Sequence, residues 1–223
     1  MNMLQKTAWV GIFAIAFALV ESAVVVYLRS LYYPDGFSLP VKVISEHHFW
    51  VEVSREMATI VMLAAAGVLA GVNRWQKFAF FMIAFGVWDI FYYVWLKVML
   101  NWPASIFDWD ILFLIPAPWI GPVIAPVSVS LLMVLAGVLI IRNDSAEHPF
   151  RPKKWSWILS IAATFTVLFS FLADTQATLR LNSPKPYSYG LFAVGLLLYA
   201  SALYITFKDQ NPNSRGSVLK EHS

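Results

Sequence analysis

Hydrophobic residues run in six long blocks along this chain, at 7–28, 52–72, 78–100, 120–141, 155–173 and 187–207. About 20 residues at 1.5 Å each cross the hydrocarbon core of a bilayer. Each block is long, continuous and apolar, so each predicts a spanning helix rather than a strand. Polar segments separate them at 29–51, 73–77, 101–119, 142–154 and 174–186, and a polar tail follows at 208–223. The first block follows Lys6 as a signal peptide would, but it resumes after Glu21 and reaches Leu28. That length predicts a retained first helix.

Composition agrees with this pattern. The 223 residues are 59% hydrophobic and 13% charged, with mean hydropathy +0.65, whereas a soluble domain carries about a quarter charged residues. The expected fold class is all-α: a polytopic integral membrane protein, a six-helix transmembrane bundle forming a single domain over 1–207, with residues 208–223 as a cytoplasmic tail. The chain has no cysteine, which excludes disulfides, thiolate catalysis, iron–sulfur clusters and Cys-based zinc sites. Its formal net charge of +3 reflects loop asymmetry. No basic run with interleaved aromatics points to nucleic acid.

Loop charge sets the expected orientation. Lys6, Arg74, Lys77, Arg142, Arg151, Lys153, Lys154, Lys208, Arg215 and Lys220 fall on one side. Arg29, Lys42, Arg180 and Lys185 fall on the other, a ratio of ten to four. Positive residues favour the cytoplasm, so both termini are expected inside and the longer loops 29–51 and 101–119 outside. Tyr27, Tyr32, Tyr33, Trp50, Trp95, Trp102, Trp109 and Trp119 then form an outer aromatic belt, and Trp9, Trp75, Trp155 and Trp157 an inner one. The small, loop-poor design suggests a bacterial plasma (inner) membrane.

Residues 102–126 break the pattern. Pro116, Pro118, Pro122 and Pro126 oppose a regular helix. The apolar stretch 109–119 is too short to span. The segment 103–119 reads either as re-entrant or interfacial, or as an ordinary outer loop before a kinked fourth helix. The fragment PAPWIGPVIAPVSVSLLMVLAG (116–137) resembles the Pro/Trp-rich second helix of tryptophan-rich sensory (translocator) proteins. Those have five helices against six here, so no residue role is carried over. In helix two, Gly67-x-x-x-Gly71 predicts close packing within the chain.

The candidate chemistry lies in ionisable residues that interrupt the apolar blocks. A charge within hydrocarbon persists only if it is paired, hydrated or useful. In helix two, His48, Glu52 and Glu56 share a face with Arg55 and Thr59 on the neighbouring row. Glu52 and Glu56 are about 6 Å apart along the axis. In helix three, Asp89, Tyr93 and Lys97 form a stripe of about 12 Å. Arg55 is the expected partner of Asp89 by depth. Glu21 lies in the outer half of helix one. Asp174 reads as a cap on helix five, and Asp108 and Asp110 as loop residues facing water.

If these faces converge, they form an outward-opening pocket. The catalytic candidates are Glu52, Glu56 and Asp89. The substrate-binding candidates are Arg55, Lys97, Tyr93 and Glu21. A divalent metal is one cofactor reading, with His47, His48 and Glu52 as ligands. Against it, the plainer reading of the histidines is a hydrated helix end. Three function classes follow. The first, and preferred, is a membrane-embedded enzyme acting on a lipid-borne or extracytoplasmic substrate. The second is a proton-coupled transporter or binding protein. The third is a structural subunit of a membrane complex. The expected partners are the bilayer and a lipid or small-molecule ligand.

Overall fold

The computed structural model describes residues 1–33, 46–115, 117–145, 149–173, 175 and 185–208. Among them are six helices long and apolar enough to cross a membrane, so this is a multi-pass membrane protein. They are α1 (Met3–Tyr32), α2 (Glu46–Ala70), α3 (Arg74–Leu100), α4 (Ile124–Asn143), α5 (Lys154–Leu172) and α6 (Tyr189–Lys208). The predicted blocks match these helices, with ends extended by capping chemistry. Asn2 and Gln5 form a reciprocal cap that starts α1 four residues early. The Asn73 side chain accepts from the N–H groups of Trp75 and Gln76 and starts α3. α3 ends at Asn101, which adopts the left-handed conformation at φ 52°.

The chain divides into two compact units. The first holds residues 1–141 and 171–187, and therefore α1, α2, α3 and nearly all of α4. Its core joins Val10, Ala14 and Ala18 of α1 to Phe80, Ile83, Ala84 and Trp88 of α3, with Leu63 from α2. The alanines let helix backbones approach closely where lipid supplies no hydrophobic drive. Glycines do the same elsewhere. A Cβ on Gly67 would meet the Phe81 backbone nitrogen at 2.7 Å, and one on Gly137 the Ala79 carbonyl at 2.7 Å. The Gly67 motif thus packs α2 on α3 within the chain, as expected.

Strand was not expected anywhere, and here the structure differs. Trp109–Phe113 (β1) and Trp119–Pro122 (β2) pair antiparallel, Asp110 opposite Gly121. The prolines that forbid a helix leave a hairpin open to this segment, and the ladder satisfies backbone groups that a buried loop would leave unpaired. Phe113 stacks on Phe85 and Trp119 on Phe171. The Thr175 hydroxyl donates to the Pro118 carbonyl at 2.8 Å. The hairpin is therefore anchored to α3 and to Phe171 and Thr175, all within its own unit.

The second unit holds residues 142–170 and 188–223. Within it, α5 meets α6 at Gly195, where a Cβ would lie 2.6 Å from Val167. The Thr164 and Tyr199 hydroxyls lie 2.8 Å apart, and Phe150 stacks on Phe207.

Candidate functional site

The α1 residues from Glu21 to Tyr33, the α2 residues from Glu52 to Thr59 and the α3 residues from Trp88 to Tyr93 line one cavity of about 130 Å³, with Asp110–Leu114 of the hairpin. All belong to the first unit. The cavity sits where the C-terminal halves of α1 and α3 meet the N-terminal half of α2. The faces of the three helices, whose convergence the sequence leaves as a condition, meet at this cavity.

Arg55 is the hub. Its guanidinium reaches Glu52 through Nε at 2.9 Å and Nη2 at 2.7 Å and pairs with Glu21 through Nη1. The Thr59 hydroxyl donates to the other Glu21 oxygen at 3.1 Å. The expected Arg55–Asp89 pair does not form, because two nearer carboxylates already occupy the guanidinium. Asp89 instead accepts from the Ser130 hydroxyl of α4 at 2.8 Å. Gly86 allows this contact, since a Cβ there would lie 2.6 Å from the Ser130 carbonyl. Glu56 accepts the Leu114 backbone N–H at 2.9 Å, which ties helix two to the hairpin.

A second arginine completes the site, and the sequence reading placed it in a loop. α1 continues through Arg29, two turns beyond Glu21 on the same face, and Arg29 pairs with Asp110 at 3.1 Å. Its guanidinium also lies 3.7 Å from the Trp102 ring centroid. Asp110 is only 3% exposed, which corrects the expectation that it faces water. Burial pushes its carboxyl up to about 6, against the opposing influence of Arg29, the Ile111 N–H and the Tyr93 hydroxyl. Asp108 has a different job: its carboxylate accepts the N–H groups of Ala104 and Ser105 at 2.7 and 3.2 Å and shapes the turn before β1.

Of the sequence candidates, Glu21, Glu52, Arg55, Glu56, Asp89 and Tyr93 all line the cavity. Lys97 does not. It lies one turn beyond Tyr93, is exposed, and donates to the carbonyls of Asn101 and Pro103 at 3.3 and 2.9 Å, closing the end of α3. The metal set of His47, His48 and Glu52 is not assembled either. Glu52 is held by Arg55 and His48 bonds the Tyr32 hydroxyl. Among the described residues no three His, Cys, Asp or Glu side chains are placed to hold a metal ion. Asp174 lies outside the described residues. Arg29, Asp110 and Ser130 were missed. The eight-residue spacing from Glu21 to Arg29 was the available signal for the first.

No protein-family model, curated protein or solved structure matches this chain.

Proposed function

We propose that the cavity is a membrane-embedded acid/base site acting on a lipid-borne or extracytoplasmic substrate. The carrying observation is that Glu56 and Asp89 line the same cavity while, among the described residues, neither is paired with an arginine. Both arginines are committed to other carboxylates. Two carboxyl groups with different hydrogen-bond partners are the minimum for one to accept a proton and the other to donate it. Tyr93 and Arg55 shape the pocket around them, and residues 110–114 of the hairpin form one wall. In the orientation set by loop charge, with both termini cytoplasmic, the cavity faces outward.

Transport through the membrane is the weaker reading. The cavity lining comes from one end of α1, α2 and α3, and segments such as 61–70 and 79–85 offer no polar continuation. The test is to incubate purified protein with a total lipid extract and follow changed species by mass spectrometry. Wild type is expected to convert at least one species, and Glu56→Gln or Asp89→Asn to lower that rate by at least about a hundredfold. Equal conversion by wild type and both variants would end this reading.

A further inference from the structure

We propose that the cavity takes a primary ammonium group carried beside a hydroxyl or ester oxygen, the chemistry of an amino-alcohol head. This rests on the reading of the cavity as the working site. Charge balance is the first argument. Five carboxylates and two guanidinium groups line the cavity. Arg29 is committed to Asp110, and Arg55 to Glu21 and Glu52. Glu56 and Asp89 are 9% and 7% exposed. Glu56 accepts the Leu114 N–H and Asp89 the Ser130 hydroxyl, and among the described residues neither is ion-paired. A buried carboxylate without an ion-pair partner is costly. A ligand bringing positive charge and several N–H donors removes that cost, whereas an anion would add repulsion.

The walls support the same class. Trp88, Tyr92, Tyr93 and Phe113 line the cavity, and aromatic faces attract cations. Trp88 adds a further requirement. It is 5% exposed, and its Nε1–H is buried with no acceptor among the described residues. An indole N–H can only donate, so a matching ligand carries an acceptor oxygen near its ammonium. Size sets the limit. A cavity of about 130 Å³ is close to the roughly 150 Å³ that holds benzene, which is room for a head of about six heavy atoms and not for a chain.

Such a head occurs in free amino alcohols and on aminophospholipids. Two measurements on the full-length protein separate these sources. The first is thermal unfolding titrated at pH 7 with ethanolamine, ethylamine, ethylene glycol and glycolate. The second is native mass spectrometry from nanodiscs of phosphatidylethanolamine or of phosphatidylglycerol. Ethanolamine is expected to raise Tm saturably. Glu56→Gln or Asp89→Asn should weaken it at least about tenfold, with the variants' own unfolding transitions showing that they are folded. Trp88→Phe should erase the preference for ethanolamine over ethylamine, and lipid-facing Leu69→Ala should change nothing. Selective retention of phosphatidylethanolamine, displaced by ethanolamine, assigns the lipid head. Ethanolamine binding without lipid preference assigns a soluble amine. The inference is overturned if ethanolamine gives no saturable shift and neither lipid is preferred, or if glycolate binds as tightly. Glycolate binding that is lost in Glu56→Gln would overturn the ammonium alone and leave the cavity as a site.

Discussion

Arg55 shows at the scale of one side chain how this membrane protein accommodates charge. Its guanidinium joins Glu21 and Glu52, so removing it strands two buried carboxylates. Arg55→Met is expected to destabilise the protein by about 3–5 kcal/mol in denaturation experiments. Adding Glu21→Gln and Glu52→Gln should restore most of that loss, since no unpaired charge then remains. Asp110 gives a pH prediction. Its folded value of about 6 stands above the ordinary 3.8, so the folded state holds the proton more tightly than the unfolded chain. The stability it contributes is full below about pH 4 and is lost as pH rises through about 6. The unfolding free energy of wild type relative to Asp110→Asn should therefore fall from pH 4 to pH 7, by an amount on the order of 2 kcal/mol. A flat difference would show that Asp110 is not buried. Glu21, Glu52, Arg55, Glu56 and Asp89 were legible in the sequence because charge in an apolar block is conspicuous. Their pairing was not, because depth along a helix does not give its rotation. Asp110 was hidden because in W-D-I-L-F an aspartate beside a loop reads as solvated until its strand is known.

Among the elements, the helices were legible and the hairpin was not. Continuous apolar runs declare spanning helices whatever their neighbours. A short strand pair depends on partners, here Phe85, Phe171 and Glu56, that are remote in sequence. The prolines correctly signalled where helix fails without saying what replaces it. Helix contact depends on small residues, which sets up a contrast between glycines. Gly67→Ala and Gly86→Ala place a Cβ within 2.7 and 2.6 Å of neighbouring backbone and are expected to cost about 1–3 kcal/mol. Gly11→Ala meets nothing within 4 Å and should be neutral or stabilising by up to about 1 kcal/mol. Thermal unfolding in one detergent compares all three. Gly86→Ala should also disturb the Asp89–Ser130 contact, because its Cβ would press on the Ser130 carbonyl.

On the scale of the whole molecule, the class of multi-pass membrane protein follows from length and apolarity alone. Among the described residues, half of the α3 window is buried but only 22–33% of the other five, so most of the surface of those five helices is exposed within the single chain. α3 is the helix around which the first unit is assembled, and it carries Trp88, Asp89 and Tyr93 into the cavity. The central claim is that Glu56 and Asp89 meet in one polar cavity reachable from water. A chain without cysteine is a ready background for testing it. Single replacements Glu56→Cys, Asp89→Cys and the lipid-facing Leu69→Cys can be made and exposed in membranes to a water-soluble thiol reagent. Cysteines at 56 and 89 are expected to react at least about tenfold faster than at 69. Unreactive cysteines at 56 and 89, or rates no higher than at 69, would contradict the account.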